Sequence, residues 1–139
     1  MILYLETSNL VKLYAEEADS DKITASVREA DVVATSIISY AEARAAFSRK
    51  FREKDIEEKD YLQIKKDLET DWESYFVLFI AMVTVKSAAD LAEKYGLPGF
   101  DALHLASALD LKGPTAGGVK FSTSDTRLRE AAAREGLSL

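Results

Sequence analysis

Met1-Ile-Leu-Tyr-Leu-Glu-Thr-Ser8 is the stretch that decides the fold. Five apolar residues run without alternation and stop at a carboxylate followed by two hydroxyls. That is the pattern of a strand covered on both faces at the point where it leaves its sheet. Leu10, Leu13 and Tyr14 then share one face of a helix over 9–16, so the opening unit reads strand, then helix. The same order returns at Asp31-Val-Val-Ala-Thr-Ser36, a second strand that again ends in hydroxyl residues, preceded by a short helix over 20–29. Helical periodicity resumes at Ile37 and passes through Tyr40, Ala41, Ala45 and Phe47. A long charged helix over 55–75 carries Ile56, Leu62, Ile64 and Leu68, and the two are expected to form a protruding helical hairpin.

Further along, the Phe-, Val- and Ile-rich segment 76–83 reads as a third strand and 84–95 as a helix stopped by Tyr95-Gly-Leu-Pro-Gly99. The helix over Asp101–Leu111 turns Ala102, Leu105, Ala106 and Leu109 inward. After the turn Gly113-Pro-Thr-Ala-Gly-Gly118 come a short strand at Val119–Ser122, a helix over about 125–135 and a terminal stub, Leu137-Ser-Leu139. Short strands separated by helical crossovers imply a parallel sheet covered on both faces, a three-layer α/β/α sandwich.

Composition agrees with one domain spanning 1–139. A chain of this length buries roughly two-thirds of the surface it exposes unfolded, and 47% hydrophobic content is ordinary for a globule. The absence of cysteine removes disulfide scaffolds, zinc thiolates, iron–sulfur clusters and thiol nucleophiles together, so any metal is a hard one on oxygen ligands. The longest apolar run, Tyr75–Val83, is about half the length of a membrane span, and the opening lacks the basic leader of a signal peptide. A cytoplasmic protein is expected. The net charge of −6 argues against unselective nucleic-acid binding but not against a local basic patch.

In parallel sheets ligands bind beyond the carboxyl ends of the strands. Glu6, Asp101 and Asp125 all fall at such junctions, and Glu42, about one and a half turns into the helix after strand two, can point back over the same edge. Four carboxylates in one partly dry cleft raise one another's pKa values, and a divalent cation removes that cost. Mg²⁺ or Mn²⁺ suits an all-oxygen cleft, and the chemistry that follows is phosphodiester hydrolysis by a metal-activated water. Each acid also has a structural alternative. Asp101 and Asp125 can serve as helix N-terminal residues, Glu6 as a packing or surface group, and Glu42 as part of a Ser39-Tyr-Ala-Glu42 capping pattern that lies inside the helix.

The single histidine, His104, follows Asp101 by about one helical turn and reads as a packing residue or a partner of the acids rather than a ligand. Tyr4, Tyr14, Tyr40 and the run Tyr75–Phe79 read as core or interface. Lys12 and Arg44, extended by Arg49, Lys50, Arg52 and Lys54, are the candidates for contact with an RNA backbone.

Four ordered segments carry a resemblance: Tyr4-Leu-Glu-Thr-Ser-Asn-Leu-Val-Lys-Leu-Tyr14, Ser39-Tyr-Ala-Glu-Ala-Arg44, Asp101-Ala-Leu-His-Leu-Ala106 and Phe121-Ser-Thr-Ser-Asp125. In order and spacing the chain resembles the PIN-domain ribonucleases and, more narrowly, the VapC-type toxins of toxin–antitoxin pairs. The resemblance implies a PIN-like fold and a Mg²⁺- or Mn²⁺-dependent endoribonuclease with Glu42, Asp101 and Asp125 in its acidic metal site. It also implies a homodimer and a small VapB-type antitoxin that inserts a tail into the cleft, two partners able to build a higher assembly. Position 6 departs from the pattern, which has aspartate there. Glutamate adds a methylene and a rotor, enough to displace a ligand by about 1 Å, so activity weaker than that of an aspartate-bearing chain is expected. The competing expectation is a catalytically silent PIN-like module that keeps RNA or antitoxin contacts. A receiver-like phosphoryl acceptor would need an acidic pair beside a mid-strand aspartate and a suitably placed lysine, an arrangement the sequence lacks, and a purely structural α/β protein with its acids as helix caps is the remaining alternative.

Overall fold

The computed structural model describes residues 1–113 and 117–139. Among these residues four strands, β1 (Ile2–Leu5), β2 (Val32–Ser36), β3 (Phe76–Leu78) and β4 (Val119–Ser122), form one sheet in the order β3-β2-β1-β4. Every pairing is parallel: Ile2 sits opposite Val32 on one side and Val119 on the other, and Ala34 opposite Phe76. The central strand β1 is therefore covered on both faces and paired on both edges, which is why its sequence is apolar without alternation.

The sheet is covered by the helices α1 (Thr7–Val11), α2 (Ser20–Glu29), α3 (Ile38–Arg52), α4 (Glu58–Trp72), α5 (Met82–Tyr95), α6 (Gly99–Asp110) and α7 (Thr126–Arg134). Two cores result. On one face Leu3, Leu5, Leu10, Ile23, Phe47 and Leu68 join β1 to α1–α4. On the other, Tyr4, Leu91, Leu105, Phe121, Leu128 and Ala132 join the sheet to α5–α7. Consecutive residues of β1 thus feed opposite cores, and each large apolar side chain so buried contributes roughly 1.5–3 kcal/mol. The expected three-layer α/β/α sandwich is what forms, and α3 and α4 make the expected hairpin, turning at Lys54, whose φ of 63° is left-handed.

Several boundaries differ from the sequence reading. The third strand ends at Leu78 rather than near 83. It is an edge strand whose sheet neighbour, β2, stops at Ser36 opposite Leu78, so Phe79 has no ladder to continue, and the chain enters α5 at Met82 instead. The first helix occupies Thr7–Val11 rather than 9–16, with Leu13, Tyr14 and Ala15 following in hydrogen-bonded turns. The α4 helix is shorter than 55–75 at both ends. Helix α6 begins at Gly99, two residues ahead of Asp101, because the Pro98 carbonyl accepts from the Ala102 N–H (3.0 Å). The terminal stub is not free: Ser138 bridges Lys120 beside β4. The middle of the expected turn 113–118 lies outside the described residues. Among the described residues no helix is long and apolar enough to cross a membrane.

Candidate active site

All four acids come to the carboxyl end of the sheet, each delivered by a different connection. Glu6 leaves β1 and caps α1, Glu42 lies five residues into α3, Asp101 sits in the first turn of α6, and Asp125 caps α7 after β4.

Glu42 is held by two donors on one oxygen. His104, fully buried on α6, places Nε2 2.7 Å from Glu42 Oε1, and its Nδ1 is 2.8 Å from the Tyr4 hydroxyl. Thr7 Oγ1 donates to the same Glu42 oxygen at 2.7 Å. The two ring nitrogens thus tie the Tyr4 hydroxyl to the Glu42 carboxylate, which accepts from Nε2–H. Burial, with the nearby charges of Glu6 and Glu42, pushes the Tyr4 hydroxyl well above its ordinary pKa, so it keeps the proton it donates. At Glu42 burial acts to raise the pKa, but the hydrogen bonds from His104 and Thr7 together outweigh it and hold the carboxyl below its ordinary value.

Glu6 is held from the other side. Its Oε2 accepts from the Ser8 N–H (3.1 Å), the Ser8 hydroxyl and the Thr123 hydroxyl (2.8 Å), and the side chain is almost wholly buried. The Ser8 hydroxyl in turn accepts from the Ser124 N–H (2.9 Å), and Thr123 Oγ1 accepts from the Asp125 N–H (3.1 Å). Asn9 completes this clasp between α1 and the β4–α7 loop, donating to Ser122 Oγ at 2.8 Å and accepting from the Ser124 hydroxyl. The sequence offers Thr7, Ser8 and Thr123 either as ligand-orienting hydroxyls or as helix caps. Asn9 and the Tyr4–His104 link escape sequence reasoning, because their partners lie about a hundred residues away in the chain.

The two aspartates differ again. Asp125 commits Oδ1 to the Leu128 N–H (2.8 Å), so the helix-cap alternative for it is realised, while its second oxygen has no partner among the described residues. Asp101 accepts no hydrogen bond among the described residues. Burial raises its pKa, helped by the fields of Glu6, Asp125 and Glu42 and opposed by His104. An isolated helix-start aspartate would feel only the stabilising dipole; this one registers the other three acids. The donor set is all oxygen and electrostatically unrelieved at Asp101, which fits a hard divalent cation. Among the described residues, however, no group of three His, Asp or Glu side chains is gathered closely enough to hold an ion, and Glu6 and Glu42 are hydrogen-bonded to partners of their own.

The basic candidates are mostly engaged within the protein. Arg49 pairs with Glu53 at 3.0 Å, Lys50 with Glu17 at 3.2 Å, Arg52 donates to Ser48 Oγ at 2.7 Å, and Arg44 donates to the Tyr40 hydroxyl at 3.1 Å. Lys12 has no carboxylate within 4 Å among the described residues and borders the cleft beside Thr7 and Ser8. Lys54 occupies the exposed turn between α3 and α4.

Comparison with known proteins agrees with the fold. Ribonuclease VapC45 of Mycobacterium tuberculosis (strain CDC 1551 / Oshkosh) is 30% identical over 131 residues, covering 94% of this chain and 89% of that protein, and Ribonuclease VapC49 of Mycobacterium tuberculosis (strain ATCC 25618 / H37Rv) matches to the same extent. Among solved structures, FitAB of the complex bound to an IR36 DNA fragment superposes with a TM-score of 0.70 at 17% identity, over 99% of this chain and 92% of that one. A toxin–antitoxin complex from Klebsiella pneumoniae superposes at 0.65 with 14% identity, over 89% and 87% of the two chains. Such distant likenesses speak to the fold. The PIN domain family matches residues 3–134, and the chain belongs to that family as a homologue of the VapC-type toxins of bacterial toxin–antitoxin systems.

Proposed function

We propose that this protein is a Mg²⁺- or Mn²⁺-dependent endoribonuclease, the toxin of a toxin–antitoxin pair, working below the level an aspartate at position 6 would allow. The observation that carries the reading is Asp101: a carboxyl without a hydrogen bond among the described residues, its pKa raised by burial and by the other acids at the same sheet end. Asp101, the second oxygen of Asp125 and Glu42 would hold the cation, with Glu6 joining by rotating away from Ser8 and Thr123. When bound, the cation supplies a water of lowered pKa and charge neutralisation at the scissile phosphate. The chain's own residues do the rest. His104 and Thr7 keep Glu42 ionised and oriented, the Asp125 cap fixes the start of α7, and Lys12, with no carboxylate partner among the described residues, meets the RNA backbone beside the cleft.

The relatives' names as ribonucleases favour RNA as substrate. The solved toxin–antitoxin complex favours a small antitoxin, for which the α3–α4 hairpin, with Phe51 and Leu62 exposed, offers an apolar ledge. A homodimer would use the exposed Met82, Val83 and Phe100 of α5 and α6. The cytoplasm is the compartment that fits an intracellular RNA target.

The test is titration of the antitoxin-free protein with Mn²⁺ on structured RNA, beside Asp101→Asn and with EDTA. Metal-dependent cutting that the variant and EDTA both abolish is the expected result. One observation favours a second reading, the silent module: Glu6 and Glu42 are both tied to internal partners. RNA binding without any cutting at saturating Mn²⁺ would select it.

A further inference from the structure

We infer that single-stranded RNA reaches the acidic cleft along a basic hollow between α2 and the edge strand β4, and not along the charged strip of α3. The inference rests on the nuclease reading above and names the path of its substrate. Two hollows meet at Lys12 and Ser124, beside the Glu6 clasp. The one toward α3 has three cations, Lys12, Arg49 and Lys50, against three carboxylates, Glu17, Glu53 and Asp55, and both Arg49 and Lys50 are committed to ion pairs. The one along β4 has four, Lys12, Lys22, Lys120 and Arg129, against the Asp19 side chain and the terminal carboxylate of Leu139.

Asp19 pairs with Lys22 at 2.9 Å. Lys12, Lys120 and Arg129 have no carboxylate within 4 Å among the described residues. In a chain of net charge −6, three cations without an ion-pair partner among the described residues, at the end of α1, in β4 and in α7, make a local positive track. Three spaced charges suit a ligand with repeated phosphates better than a lone anion. The hollow, about 480 Å³, is of the size of small-ligand pockets and too small for a duplex. The one aromatic ring among the residues that line it, Phe121, is buried in the core and cannot stack on a base, so the recognition is of backbone charge rather than sequence. The track also leads to the right place: its floor includes Thr123 and Ser124, and Thr123 donates directly to Glu6.

The test measures binding of a short, mixed-sequence, single-stranded oligoribonucleotide by fluorescence anisotropy, in EDTA so that nothing is cut, across a KCl series. Removing both Lys120 and Arg129 as alanines should weaken binding about tenfold and flatten the log K against log salt slope by about 1.4, roughly 0.7 for each phosphate no longer neutralised. The exposed position 129 leaves the fold intact, and Lys120→Arg, which keeps the charge, should restore the parent's slope at that site. The paired Arg49→Ala and Lys50→Ala variant should change affinity less than about twofold, since neither side chain is free. Parent-like affinity and slope in the Lys120/Arg129 variant, or an equal loss in the Arg49/Lys50 variant, overturns the path. If the parent binds RNA with the expected slopes yet never cuts with Mn²⁺, the path stands and the nuclease reading falls; if the parent binds no RNA, both fall.

Discussion

Glu42 and Asp101 occupy the same sheet end and meet opposite treatment. Glu42 receives two hydrogen bonds, one from an imidazole that is itself fixed by the buried Tyr4 hydroxyl, and its carboxyl is held acidic. Asp101 receives none among the described residues, and its carboxyl is pushed up by burial and by its acidic neighbours. One corner is built and satisfied without any ligand; the other is left under electrostatic stress. For a cation, a carboxylate fixed by outer partners sets direction, and one raised by like charges gains most from neutralisation.

The most severe way to break the comparison is Asp101→Asn, which removes the stressed charge. Cutting of RNA at saturating Mn²⁺ should fall by about 100-fold or more, and calorimetric titration should show Mn²⁺ affinity lost with it. Unchanged Mn²⁺ affinity would mean that the stress at Asp101 has nothing to do with a cation. Next in size is His104→Ala, which dismantles the satisfied corner. Losing a buried partner of this kind lowers activity by about 10- to 100-fold, and leaving the Tyr4 hydroxyl unsatisfied beside a new cavity costs about 2–3 kcal/mol of stability. Urea unfolding measures the second effect separately from the first. A variant equally stable yet inactive would show that His104 acts on the chemistry and not on packing.

How much of this contrast is legible in the sequence depends on the range of the interactions. The Arg49–Glu53 pair is a four-residue helical spacing and can be read directly. The unbroken apolar run at Ile2–Leu5 and its echo at Val32–Ser36 announce a doubly covered parallel sheet, and the connections that follow carry acids to its carboxyl end. What sequence does not encode locally is which way each carboxylate turns once there. Tyr4 and His104 meet only because alternation along β1 sends Tyr4 to the α6 face, and Ser8 meets Ser124 only because β1 and β4 pair in register. The third strand reads too long for a related reason: Phe79 and Ile80 have strand-like composition, but strand length there is set by where β2 stops.

Position 6 allows the comparison to be sharpened rather than broken. Glu6 resembles the satisfied corner in its hydrogen bonds, which commit its Oε2 to Ser8 and Thr123, while its charge still bears on Asp101. Glu6→Asp shortens the side chain by one methylene, which weakens the reach to Thr123 and leaves a carboxylate nearer the strand end. Turnover with Mn²⁺ should rise about tenfold, within the roughly hundredfold that a misplacement of about 1 Å can cost. Equal turnover in the two proteins would remove the longer side chain as the source of weak activity and leave the hold by the hydroxyls, testable with Thr123→Val.

The smallest effect is in stability against pH without metal, and it carries the clearest sign. A carboxyl raised in the folded state binds its proton more readily there than in the unfolded chain, so Asp101 costs nothing below its ordinary value of 3.8 and destabilises increasingly as pH rises through the raised value. Asp101→Asn should therefore melt higher than the parent at pH 7 in EDTA. Solvent screening at this partly exposed group keeps the gain small, and it should shrink to nothing below about pH 3.8. Glu42 has the opposite linkage. Its depressed carboxyl stabilises the fold above the ordinary value of 4.5 and loses that contribution as pH falls through the folded value. Glu42→Gln should melt lower than the parent at pH 7, with the deficit closing in acid. Melting curves of the two variants and the parent between neutral and acidic pH would thus diverge in opposite directions from a common acid limit. If both variants shifted the same way, the two carboxylates would not be in the contrasting environments that Tyr4, His104 and Thr7 create on one side and Glu6 and Asp125 on the other.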